Sequence, residues 1–124
     1  MVVGHESLVK GKLLTGEGIS GASKKVLIHP GNGWEDNVMR VFELEKDGYT
    51  PRHRHPWPHI NYIIRGSGTL FLDGKNHELT VGSYAFVPDE KEHQFMANQG
   101  EDLAFICIVP LKGDPNWNKD IVEY

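Results

Sequence analysis

From Lys24 to Pro110 the chain alternates short apolar runs with Gly, Pro, Asn and Asp. The runs are KKVLI, NVMRVFELE, an HRH stretch, HINYIIR, GTLFLD, HELTV, SYAFVP, EHQFMA and LAFICIVP. They are rich in β-branched and aromatic residues, and no stretch before residue 110 sustains a helical period, so they read as strands. Asp73-Gly74, between GTLFL and HELTV, is a hairpin signal, because glycine accepts the positive φ that a tight hairpin turn demands. About eight or nine short strands with close turn signals predict an all-β, antiparallel sandwich or barrel.

The ends read differently. Residues 1–23 are glycine-rich and weakly patterned, which predicts an N-terminal arm or a first, irregular strand leading into a barrel formed by residues 24–110. In the tail, residues 111–124, Asp114 as N-cap with Pro115 at the first helical position predicts one short helix. No internal repeat or linker divides the chain, so one domain is expected.

Side-chain parity assigns faces. In NVMRVFELE, Val38, Arg40, Phe42 and Leu44 share one face, and Met39, Val41, Glu43 and Glu45 the other. Burying the first set costs less, except for Arg40, since an unpaired buried charge is unfavourable by several kcal/mol. Arg40 therefore either grips a ligand carboxylate with its planar fork or pairs with Glu43 or another surface acid. HINYIIR and LAFICIVP are apolar on both faces. One face lines the interior, and the other, carrying Tyr62, predicts a homodimer.

Charge and composition narrow the partners. The 124 residues carry a net charge of −4, and no cationic run exceeds Lys24-Lys25. That argues against nucleic acid, whose binding needs a clustered positive face, and against anionic membranes. No apolar run approaches the ~20 residues of a membrane span, and the N-terminus lacks the apolar centre of a signal peptide, so a cytoplasmic protein is expected. Cys107 is the one cysteine, which excludes an intrachain disulfide.

The seven histidines change the picture, because three fall within the segment HRHPWPH, residues 53–59. His55 and His59 have the spacing of a zinc-protease helix, but Pro56 and Pro58 each oppose a helix by ~3 kcal/mol. The segment must be extended or turned. In a strand, His53 and His55 share a face ~6.7 Å apart, and His59, beginning the next strand, can return to the same point. Converging neutral imidazoles suit a transition-metal ion such as Zn, Cu, Fe or Ni. His5, His29 and His77 lie outside this pattern and read as surface residues.

Two motifs in order, Gly48-x4-His53-x-His55-x3-His59-x6-Gly66 and Gly82-x5-Pro88-x-Glu90-x2-His93-x4-Asn98, resemble those of the cupins, small β-barrels that hold a metal. The second departs from the usual form, which has Gly at the place of Glu90 and one residue fewer before the Asn. The resemblance covers roughly residues 24 to 110. It implies a single-domain cupin (a double-stranded β-helix, or jelly roll) with metal ligands His53, His55 and His93. His59 stands where most cupins place Glu. Small cupins with a similar HxHPWxH run use four histidines, and the resemblance favours manganese or iron over zinc, nickel or copper. With imidazole in place of carboxylate, a divalent centre stays at +2 rather than +1 and becomes the stronger Lewis acid.

Parity and resemblance together place Arg40, Asn61, Phe95, Phe105 and Cys107 around a small, mostly apolar ligand pocket. With no histidine or cation beside it in sequence, Cys107 reads as a small core residue. Trp57, between two prolines, reads as packing at the barrel rim or a subunit interface. Three functions fit. The first is an oxygenase-type oxidoreductase using Mn or Fe, with a small organic substrate at two open metal positions. The second is a redox-neutral lyase or isomerase, which needs a base such as His29 or Tyr84. The third is a non-catalytic metalloprotein that binds a small ligand. The fold alone cannot choose among them.

Overall fold

The computed structural model describes residues 1–122 as a curled antiparallel sheet of nine strands. These are β1 (Lys12–Leu13), β2 (Ser20–Ile28), β3 (Asn37–Tyr49), β4 (His59–Gly66), β5 (Gly68–Leu72), β6 (Lys75–Leu79), β7 (Tyr84–Val87), β8 (His93–Ala97) and β9 (Leu103–Pro110). The strand order β6-β5-β8-β3-β9-β4-β7, with β2 also on β3 and β1 on β2, makes the all-β architecture expected from the runs. Among the described residues, no helix is long and apolar enough to cross a membrane.

Strand β3 joins the two walls. Asn37 to Leu44 pair with β9, and beyond a positive-φ residue, Asp47, Tyr49 pairs with Met96 of β8. The walls meet through aromatic rings: Phe95 of β8 stacks on Phe105 of β9 at 4.2 Å, and Phe105 lies 5.6 Å from Phe42 of β3. Around them Val38, Leu44, Ile63, Leu70, Val87 and Leu103 form a core that is almost wholly excluded from solvent. Each such side chain contributes roughly 1.5–3 kcal/mol of burial.

Local chemistry explains the turns. At Asp73-Gly74 both residues have positive φ, 47° and 84°, and Leu72 pairs with Lys75. This is the two-residue hairpin whose backbone twist matches that of its strands. Gly66 ends β4 at φ 75°, where an added Cβ would lie 1.9 Å from the Asp102 carbonyl oxygen.

Three expectations need correction. The HRH stretch is not a strand: residues 51–58 are irregular, and only His53 pairs, with His93. Pro51, Pro56 and Pro58 have no N–H to offer a ladder. The tail forms two 3-10 turns, Leu111–Gly113 and Trp117–Lys119, rather than one helix opened by Asp114. The Asp114 carboxylate is turned to Lys24 and Arg40 and makes no side-chain cap among the described residues; residues 123 and 124 of that tail lie outside the described residues. Finally, β2 begins at Ser20, ahead of the boundary at residue 24, so the span read as an arm or an entry strand carries β1 and the start of β2. The remainder of the arm is tied down by Glu6, which bonds Lys25 and Arg65.

Candidate metal centre and its cavity

His53 and His55 stand on the irregular segment, His59 opens β4 and His93 opens β8. The His53–His93 backbone pair, with hydrogen bonds of 3.1 and 2.9 Å, fastens that segment to the opposite wall. Ligand nitrogens of His53, His55 and His93 lie within 4.8 Å of one another. His59 approaches from the far side: its Nε2 is 3.2 Å from His93 Nε2, and its ring centre is 5.4 Å from that of His55. His59 and His93 are buried, whereas His53 sits exposed at the rim.

The ring tautomers follow from what holds the other nitrogens. His93 Nδ1 donates to the Lys91 carbonyl at 2.8 Å and His55 Nδ1 to the Trp57 carbonyl at 2.8 Å. His59 Nδ1 donates to Asn61 Oδ1 at 2.6 Å, and Asn61 Nδ2 in turn donates to the Ile106 carbonyl, which fixes the amide orientation. With Nδ1 carrying the proton, each Nε2 presents a bare lone pair. Two such lone pairs facing each other at 3.2 Å in a buried site repel unless a cation lies between them. The donor set therefore fits a transition-metal ion, and the backbone and Asn61 acceptors supply the outer support that metal-binding imidazoles require.

Electrostatics points the same way. Although His53 reaches solvent at the rim, partial desolvation of its ring, then repulsion from His93, His55 and His59, lowers it to about 4. Burial is also the main cause at His59 and His93, both lowered to about 4, and His55 is lowered too. At neutral pH the cluster is uncharged and need release no proton to take up a cation.

The histidines form one end of a cavity of about 350 Å³. Arg40, Phe95, Phe105 and Cys107 line it. Asn61 does not; it stands behind His59, its amide used to orient that ring. Trp57 also lines the cavity, stacked flat on His55 at 4.4 Å, where it shields one ring face.

Arg40 does not pair with Glu43. Its Nη1 donates to Asp114 Oδ2 at 3.3 Å, its Nη2 to Cys107 Sγ at 3.0 Å and its Nε to the Cys107 carbonyl at 3.5 Å. Cys107 thus has the cationic neighbour that its sequence surroundings lacked, delivered by strand register: Arg40 and Cys107 are cross-strand partners.

Lys24 and Glu17 are lining residues that sequence reasoning missed. Lys24 reads as solvated in the pair Lys24-Lys25, although its parity with Ala22 and Val26 could have marked it as inward. Glu17 lies on a glycine-rich loop with no pattern to mark it, between Gly16 and Gly18, both at positive φ. It is the one carboxylate on the described cavity wall. Neither His29, stacked on Trp117, nor Tyr84, exposed on the outer face, reaches that wall.

The chain resembles known proteins in sequence and fold. The cupin domain family model matches residues 40–109. The polyketide cyclase RemF from Streptomyces resistomycificus superposes with a TM-score of 0.82 at 29% identity, over 89% of this chain and 79% of that one. Dimethylsulfoniopropionate lyase DddW of Ruegeria pomeroyi is 31% identical over 70 residues, 56% of this chain and 45% of the lyase. The 1-methylthio-D-xylulose 5-phosphate methylsulfurylase of Rhodospirillum rubrum is 27% identical over 88 residues, 71% of this chain and 56% of that enzyme. The matches thus span about half the length of these two curated relatives.

Proposed function

The chain belongs to the cupin family, and from that premise we propose that it is a metal-dependent enzyme of redox-neutral type, a lyase, cyclase or isomerase acting on a small organic molecule. One divalent transition metal would be held by His53, His55, His59 and His93. The observation that carries the reading is the imidazole cluster: His53, His55 and His93 gather with no carboxylate among them, and His59 Nε2 lies 3.2 Å from that of His93, so a bound ion would keep its full charge to act on the ligand.

When bound, such an ion supplies a Lewis acid for a carbonyl or hydroxyl oxygen. The chain's own residues supply the rest. Asn61 holds His59 in the tautomer that leaves Nε2 free. Phe95, Phe105 and Val109 give the cavity apolar walls that exclude water. Glu17, solvent-exposed where it lines the cavity and with no hydrogen bond or ion pair among the described residues, would be the group on that wall to accept a proton from a bound ligand. A base on the cavity wall is what the redox-neutral reading needs and what the sequence alone did not offer. The names of RemF and DddW, a cyclase and a lyase, support the same class.

The second reading, an Mn- or Fe-dependent oxygenase, is favoured by the apolar walls, which would also suit an oxygen-reactive centre. One experiment separates the two. Metal-free protein is reloaded with Mn(II), Fe(II), Zn(II) or Ni(II) and incubated with a panel of small organic acids and phenols, with and without oxygen. Turnover without oxygen, with Zn(II) as competent as Mn(II), is expected. Oxygen uptake coupled to turnover with Mn(II) or Fe(II) only would replace this reading by the second. Metal-dependent melting with no turnover on any substrate would leave a ligand-binding metalloprotein.

A further inference from the structure

Two buried cations also line the cavity. Lys24 is 5% exposed and Arg40 8%, and both line the cavity. Buried cations must be paired, since an unpaired one costs several kcal/mol. Their shared partner is a single atom: Asp114 Oδ2 accepts from Lys24 Nζ at 2.9 Å and from Arg40 Nη1 at 3.3 Å. Lys24 reaches on to Asp120 at 2.5 Å, which also takes Lys12 at 3.0 Å. In this network Asp114 is divided between Lys24 and Arg40, and Asp120 between Lys24 and the surface Lys12, so Arg40 shares one carboxylate oxygen rather than holding a counter-ion of its own.

The guanidinium is also held still. Its plane is fixed by Cys107 on one edge, by Asp114, and by the Phe42 ring 4.8 Å from its carbon. Three of its N–H groups are engaged, one of them to a carboxylate and at a long distance. An arginine normally offers about five N–H groups in a fork that matches a carboxylate. Donors therefore remain, already oriented and without cost of ordering.

We propose that Arg40, backed by Lys24, forms a carboxylate-binding subsite, so that the cavity takes a small organic monoanion with its carboxylate on this wall and its opposite end among the histidines. With Asp114 already between the two cations and Glu17 on the same cavity wall, the subsite suits a monoanion better than a phosphate dianion. Asp114 is then the resident counter-ion that keeps the two cations paired when no ligand is bound. The orientation of the ligand toward a metal rests on the function proposed above; the subsite itself does not.

The test uses the full chain, both metal-free and loaded with redox-silent Zn(II), titrated with butanoate, butanamide and methyl phosphate. Binding is read by calorimetry and by the fluorescence of Trp57, which lines the same cavity. Butanoate is expected to bind metal-free protein about ten-fold more tightly than butanamide, the worth of a charged hydrogen bond. Arg40→Gln should bring that ratio to about one, and Arg40→Lys should leave it intermediate. Asp114→Asn, which removes the internal competitor, should raise butanoate affinity, and this variant keeps the proposal testable should Arg40→Gln fail to fold. A ratio near one in wild-type metal-free protein, a ratio unchanged by Arg40→Gln, or a preference for methyl phosphate would each overturn the subsite. Binding of butanoate to the Zn(II) form alone would overturn it while leaving the metal reading intact. Failure to take up any ion, with the ratio preserved, would do the reverse.

Discussion

At the scale of single residues, the site turns on how His59 is held. Its Nδ1 has one acceptor, Asn61 Oδ1, and both groups are buried. Replacing Asn61 by Leu leaves that N–H unsatisfied and frees the ring to turn. Metal affinity should fall by ~10–100-fold, the usual cost of losing an outer partner, while the fold persists; competition with a calibrated chelator measures it. His59→Ala tests the ligand count. Because its Nε2 faces that of His93, its loss should weaken metal binding as much as His93→Ala does. Unchanged affinity would leave a three-histidine site. The histidines were legible in the sequence because their spacing, with prolines between, excludes a helix. The partner of Arg40 was not: Asp114 lies 74 positions away, and nothing local distinguishes it from a helix cap.

At the scale of elements, the strands and the Asp73-Gly74 hairpin could be read from alternation and turn chemistry, whereas the arm and tail could not. Their order comes from long-range ion pairs that no period records. The arm is fastened by Glu6, whose carboxyl is held below its ordinary 4.5 chiefly by the hydrogen bond from Arg65, and further by Lys25. A carboxyl lowered in the folded state contributes stability above its unfolded value and loses it as pH falls through the folded one. The arm is therefore expected to detach on acidification below about pH 4.5, seen as loss of amide-exchange protection near residues 6–9, and Glu6→Gln should show reduced protection at every pH. Gly66 makes a harder constraint, since any side chain there meets the Asp102 carbonyl at positive φ. Gly66→Ala should cost at least ~2 kcal/mol in denaturant unfolding.

For the whole molecule, the same parity that turns His59, Asn61 and Ile63 inward turns Ile60 and Tyr62 outward. Register sets Ile60 beside Phe86 and Ile108, and Tyr62 beside Tyr84 and Ile106, so the outer face of β4, β7 and β9 is a continuous apolar surface without a charged side chain among these positions. Ile60, Tyr62, Tyr84 and Phe86 are 47–83% exposed. Strand β7 is also the last in its row, with one backbone edge unpaired by the described strands. An apolar sheet face ending in an open edge invites pairing, and a second copy of this chain would meet it with the same apolar residues about a two-fold axis. We predict a homodimer at micromolar concentration by sedimentation equilibrium, reduced to monomer by Tyr62→Arg combined with Phe86→Lys. Because these side chains point away from the cavity, the monomeric variant should keep the metal affinity of the parent; a monomeric parent protein would refute the dimer, and a variant that loses metal as it dissociates would show that the second copy helps to hold the site.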